Sequence, residues 1–138
     1  MTNSTVKNNL FQDNFGTGFC CDLDCSGNTI VGNMARGNAT HGIFYEVSYN
    51  AIIASNVSYN NGVWGFKING RGVKVFNNTA YNNASDNYFI YDDPRLPSQN
   101  IEVKNNISAG GPKSDPNSRL IFARLNMSTV GNVVTAMD

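Results

Sequence analysis

One short unit recurs along this chain, and its repetition narrows the available folds more than any other feature. Two adjacent copies show it best, NTIVGNMARGNATHGIFYEVSYN from Asn28 and AIIASNVSYNNGVWGFKING from Ala51. Each opens with an aliphatic run, reaches an Asn (Asn33, Asn56) and adds a second Asn five residues on (Asn38, Asn61). Each closes with a Gly and alternating residues, Gly42-Ile43-Phe44-Tyr45-Glu46-Val47 and Gly65-Phe66-Lys67-Ile68. The first Asn returns as Asn9, Asn33, Asn56, Asn78, Asn106 and Asn132, at gaps of 24, 23, 22, 28 and 26 residues. Val6, Ile30, Ile53, Val75 and Val103 stand three residues before it, and only Thr129 departs. The second Asn is Asn14, Asn38, Asn61 and Asn83, with Gly111 in the fifth copy. A period of this size marks a solenoid, propeller or array.

The apolar runs select among these. They are short, alternate with period 2, and are rich in Val, Ile, Phe and Tyr, which reads as strand and not as helix. The expectation is an all-β chain, a right-handed single-stranded parallel β-helix of about five coils. Each strand then pairs with its equivalent one coil on, about 4.8 Å away. An Asn repeated in every coil suits a tight turn, because Asn tolerates the left-handed region and stacked amides form a hydrogen-bonded ladder. The coils are placed at 5–27, 28–50, 51–72, 73–100 and 101–128, with 129–138 beginning a sixth. The ladder Asn and the Val/Ile column are expected to be buried in the central coils.

The 138 residues carry formal net charge zero, which offers no bulk attraction for nucleic acid or an anionic membrane. No 18-residue apolar run is present, so no membrane span is expected, and no signal peptide is visible after Met1. Residues 1–138 read as a single, incomplete β-helix domain that starts and stops inside the solenoid with no capping segment at either end. Uncapped ends predict end-to-end self-association.

The repeats resemble those of right-handed parallel β-helix proteins of the pectate-lyase-like superfamily, especially bacterial secreted β-helix proteins. The phrases His41-Gly42-Ile43-Phe44-Tyr45-Glu46-Val47-Ser48-Tyr49-Asn50 and Cys21-Asp22-Leu23-Asp24-Cys25 carry the resemblance. It implies an extracellular or cell-surface location and a polysaccharide or glycan partner. Two functions follow from it: part of a polysaccharide lyase or glycoside hydrolase, or a non-catalytic adhesion or tailspike-like scaffold.

Counting from the ladder Asn aligns outward residues of successive coils. One column holds Thr17, His41, Trp64 and Asp86, the next Cys20, Phe44, Lys67 and Phe89. Then come Asp22, Glu46, Asn69 and Tyr91, and last Asp24, Ser48, Arg71 and Asp93. Carboxylates stacked in adjacent coils make an acid/base couple when one proton is shared. The candidate catalytic residues are therefore Glu46, Asp22, His41 and Lys67, centred on an exposed Glu46. Phe44, Trp64, Arg71 and Tyr91 are the candidate substrate-binding residues. No cofactor is expected, although Asp22, Glu46 and Asp24 offer oxygen ligands of the kind Ca²⁺ takes. Cys21 is expected in the core beneath Tyr45. Along an extended strand Cys21 and Cys25 lie beyond disulfide reach, and only a turn at Asp24 would bring them together. The runs Asp92–Ser98 and Gly110–Asn117 read as loops pushed out of turns.

Overall fold

The computed structural model describes residues 1–110 and, beyond them, the backbone at 121–122, 127–130 and 133–135. The first coil holds β1 (Thr5–Lys7), β2 (Leu10–Gln12) and β3 (Phe19–Asp22), the second β4 (Thr29–Val31), β5 (Met34–Arg36) and β6 (Ile43–Tyr49). The third holds β7 (Ile52–Ala54), β8 (Val57–Tyr59) and β9 (Phe66–Arg71), the fourth β10 (Lys74–Phe76), β11 (Thr79–Tyr81) and β12 (Tyr88–Ile90). Then follow β13 (Ile101–Lys104), β14 (Ile107–Ala109), β15 (Ile121–Phe122), β16 (Met127–Val130) and β17 (Val133–Thr135). Equivalent strands pair in parallel into three sheets, β1-β4-β7-β10-β13-β16, β2-β5-β8-β11-β14-β17 and β3-β6-β9-β12-β15. This is an all-β parallel solenoid, with no helix among the described residues. Four coils are complete within residues 1–110, slightly fewer than the five expected, because the fifth is described only in part. The loop and strand expected at 111–120 and 123–125, and the sixth ladder Asn132, lie outside the described residues.

Three-residue strands put only their middle side chain inside, because successive residues of a strand face opposite ways. In the first sheet that residue is Ile30, Ile53, Val75 or Val103, each fully buried, and the register stacks them directly, Ile30 on Ile53 on Val75 on Val103. In the second sheet it is small: Ala35, Ser58, Ala80 and Ser108. The space saved there is filled from the third sheet by Tyr45, Phe66 and Tyr88, all fully buried. Phe66 and Tyr88 stack with centroids 4.9 Å apart. Large residues on one wall and small ones opposite give the interlocking a close-packed core requires.

The two tasks assigned to the ladder Asn are divided between neighbours. The left-handed conformation falls on the residue just before it, Asn8 (φ 57°), Ser55 (φ 54°), Asn77 (φ 54°) and Asn105 (φ 55°). Asn9, Asn33, Asn56, Asn78 and Asn106 are thereby free to build the ladder. From Asn9 to Asn78, each Nδ2 donates to the next Oδ1 at 3.0 Å, and each backbone N–H donates to that same oxygen at 2.9 Å. The second Nδ2 proton goes back to the preceding coil, as from Asn56 to the Ile30 carbonyl at 2.9 Å. Every polar atom of a central ladder amide is thus satisfied, which is what lets it be buried.

A second ladder runs Asn14, Asn38, Asn61 and Asn83, with amide links of 2.7 to 2.9 Å. It explains the Gly before each third-sheet strand. A Cβ on Gly42 would sit 2.8 Å from the Asn61 amide nitrogen, and one on Gly65 closer still to Asn83. The fourth coil breaks both patterns together. The residue in the Gly position is Asn87, and its Oδ1 accepts from Asn83 Nδ2 at 2.9 Å. Its own Nδ2 then donates to Ser108 Oγ and the Ala109 and Gly110 carbonyls. Asn87 ends the ladder from within its own coil, where the fifth copy carries Gly111 in place of Asn.

In the first coil the turn that would join Cys21 and Cys25 is present. Leu23 (φ 56°) and Asp24 (φ 60°) both adopt the left-handed conformation, so the strand turns at once after Asp22 and Leu23 becomes exposed. The turn brings the Cα atoms of Cys21 and Cys25 to 6.2 Å and the two cysteines form a disulfide. Cys21 is buried as expected, but bonded.

Candidate ligand face on the third sheet

The third sheet carries the chemistry, and its geometry departs from simple counting in one place. Register is regular from Asp22 opposite Glu46 and from Phe44 opposite Lys67. It then shifts between Tyr45 and Ser48, so that Ser48 pairs with Gly70 and Tyr49 with Arg71. The extra residue is Val47, with φ 46°. Such a bulge reverses the facing of everything after it. Ser48, expected outside, is fully buried and donates to the Glu46 carbonyl at 2.6 Å. Asn69, also expected outside, is fully buried. Its Oδ1 accepts from Val47 N–H, and its Nδ2 donates to the Tyr91 and Leu96 carbonyls and to Ser98 Oγ. Arg71 consequently stands beside Tyr49, not Ser48, and its Nε donates to the Pro97 carbonyl.

The loop Asp92–Ser98 is not simply pushed outward. Leu96 and Ser98 are buried, Ser98 N–H donates to Asp92 Oδ1 at 2.8 Å, and the fold returns Arg95 over the sheet. There Arg95 makes a bidentate pair with Asp93, at 2.9 Å from Nε and 2.7 Å from an Nη. These hydrogen bonds lower the Asp93 pKa to about 2.

Glu46 lies beneath this loop and is only 4% exposed, against the expectation of an open carboxylate. Its two oxygens face cations, Lys67 Nζ at 3.2 Å and an Arg95 Nη at 3.6 Å. Asp22 is its strand neighbour but is exposed, and accepts from the Leu23 N–H. Glu46 is therefore neutralised inside the fold, not poised beside a second free acid. The same two cations exclude Ca²⁺ from the Asp22–Glu46 position, since a dication would meet positive charge on its second flank.

Around this pair runs a stack of rings. His41 stacks on Trp64 at 4.7 Å, Trp64 on Phe89 at 4.2 Å, and Phe89 on Tyr91 at 4.8 Å. Trp64 Nε1 donates to Asp86 Oδ2 at 3.0 Å, fixing the indole. His41 also packs against Phe44 at 5.7 Å, and its Nδ1 is buried with no hydrogen-bond partner. Burial, aided by the Lys67 charge, lowers its pKa to about 4, so the imidazole is neutral at neutral pH. The structure thus gathers seven of the eight candidate residues, Asp22, His41, Phe44, Glu46, Trp64, Lys67 and Tyr91, on one face, with Arg71 displaced to its edge. It adds Arg95, which column counting did not reach, and its partner Asp93, which was not among the candidates. Asp93 was aligned in the last column, but nothing in the repeat pattern foretold that a loop arginine would fold back onto it.

Architecture and face define a β-helix scaffold of stacked coils, with a ring-and-charge strip along one sheet. The family model described as periplasmic copper-binding protein (NosD) matches residues 1–110. The chain belongs to the NosD family. No curated protein and no solved structure matches it. The family description places its members in the periplasm, an oxidising compartment in which the Cys21–Cys25 bond is at home.

Copper, implied by that description, does not fit the described residues. No cluster of three His, Cys, Asp or Glu side chains occurs among them. The softer donors are scattered: Cys20 is a free thiol on β3, Met34 Sδ takes the Tyr59 hydroxyl on the second sheet, and His41 has one nitrogen sealed among rings.

Proposed function

We propose that this chain is a non-catalytic β-helix module of a periplasmic protein, a rigid scaffold that holds the ring-and-charge strip of its third sheet in place. The observation that carries this reading is the closure of Glu46 by Lys67 and Arg95. A general acid or base must keep a proton site free to reach substrate, and in the free chain the best-placed carboxylate has both oxygens beside cations. His41, neutral, stacked on Trp64 and packed against Phe44, has its Nδ1 buried.

Polysaccharide lysis or hydrolysis is the competing reading. Its support is the half-buried strip of Trp64, Phe89 and Tyr91, a composition that sugars favour. Against it, both faces of Trp64 are already covered, by His41 and Phe89, whereas a sugar ring is held by an open aromatic face. The deciding experiment is a screen of neutral and acidic polysaccharides for new reducing or unsaturated ends, run on wild type and Glu46→Gln. The scaffold reading expects no turnover by either. Turnover by wild type that disappears in a folded Glu46→Gln protein would replace it with the enzymatic one.

A further inference from the structure

The outward ring column of the third sheet has a gap. Its members are Phe44 in the second coil, Lys67 in the third and Phe89 in the fourth. Where the third coil would supply a ring, the lysine side chain enters instead. Its Nζ lies 4.6 Å from the Phe44 centroid in the coil below and 5.1 Å from that of Tyr91 in the coil above. Tyr91 stands two residues along the chain from Phe89, the column's own ring, so the ammonium lies in a slot between a ring in the coil below and an offset ring in the coil above. Trp64 is also within 5.3 Å. Both indole faces are already covered by His41 and Phe89, so Trp64 serves as a wall while Phe44 and Tyr91 provide the attraction. Glu46 Oε1 closes the slot at 3.2 Å from Nζ.

We propose that Phe44, Tyr91, Trp64 and Glu46 form a receptor for an ammonium group, filled in the free chain by Lys67 and opened to a quaternary ammonium ligand when that side chain swings out. Rings plus one carboxylate are the composition that recognises such cations, since ring quadrupoles attract a charge that water hydrates weakly. A primary ammonium is strongly hydrated, so Lys67 loses more on entering the slot than a trimethylammonium group does. The lysine side chain is 17% exposed, so part of it reaches solvent. Glu46 keeps Arg95 when Lys67 leaves, and the ligand restores the second positive charge. The proposal concerns binding alone and stands whether or not the module proves catalytic.

The test is titration of the full chain with tetramethylammonium chloride against NaCl at equal ionic strength, read by the fluorescence of Trp64, the single tryptophan. Lys67→Ala should give a saturable signal, with wild type binding at least tenfold more weakly and Lys67→Ala/Phe44→Leu losing the response. A folded Lys67→Ala protein that responds equally to both salts overturns the proposal. A measurement on wild type needs no folded variant: after reductive ¹³C-methylation, the Lys67 methyl resonance should lie upfield of the other lysines and return toward them as tetramethylammonium is added. A Lys67 resonance at the common position, or one unmoved by the salt, overturns it as well.

Discussion

The first two sheets and the third are built from the same repeat, yet only the first two obey it strictly. Strands β4, β7 and β10, and likewise β5, β8 and β11, are three residues long and in unbroken register. Third-sheet strands run from three to seven residues in the four complete coils, and they carry a bulge, a disulfide-closed turn and an ion cluster. The turns at the ends of the second-sheet strands are fixed by ladders whose amides, up to Asn78 and Asn61, each bond to the next coil. The stretch after each third-sheet strand has no such ladder, so its length and facing are free to vary. Regularity follows the asparagines, and individuality collects where they are missing.

The contrast breaks most completely if the regular part is attacked. Ile53→Asp places an unpaired carboxylate at a fully buried position of the first sheet, at a cost of several kcal/mol. Soluble protein with a cooperative melt would show that the coil register is wrong. Next comes the ladder itself. Asn56→Ala removes the acceptor of two Asn33 donors and the donor to Ile30 and Asn78, which should destabilise by about 3–5 kcal/mol. Asn9→Ala, at the exposed end of the same ladder, should cost less than about 1 kcal/mol. Equal losses by urea unfolding would deny that burial is what makes the ladder matter.

The irregular part should respond more mildly. Cys25→Ser opens a bridge that closes a very short loop, worth about 2 kcal/mol by chain entropy. Unchanged stability of wild type in reducing buffer would contradict the bond. The smallest effect is that of His41. Its folded pKa of about 4 lies below the ordinary 6.5, so the unfolded chain takes the proton first. Stability is full above about pH 6.5 and declines toward pH 4. The half-buried ring limits the loss to less than about 1 kcal/mol. His41→Phe should flatten that part of the curve and leave the separate loss below pH 4, where Asp93 gives up its charge. A wild-type curve flat from pH 7 to 4.5 would mean that the imidazole titrates normally.

The same division decided what could be read from the residues alone. The Val/Ile column, the ladder asparagines and the alternation of Tyr88, Phe89 and Ile90 repeat at a fixed offset, and each stands where the offset put it. Val47 gives no such cue, because a β-branched residue is a poor occupant of positive φ. Only the polar pair Ser48 and Asn69, equally at home inside as hydrogen-bonding groups, could have hinted at the reversal. The burial of Glu46 was hidden for another reason. Its cover, Arg95, comes from a loop outside the repeat, and a column count has no place for such a residue. The disulfide needed two successive left-handed residues, of which only Asp24 is of a type that adopts that conformation with ease.

Asn87 works as punctuation. In every earlier coil the second ladder is an open clause that the following coil must complete, so a coil of the wrong length would leave it unfinished. By completing the clause from its own strand, Asn87 releases whatever comes next from that obligation. One copy later the sequence carries Gly111 where the second-ladder Asn would stand, and the gaps on either side of Asn106 are 28 and 26 residues in place of 22 to 24. One side chain thus marks where a periodic molecule is permitted to begin saying something different.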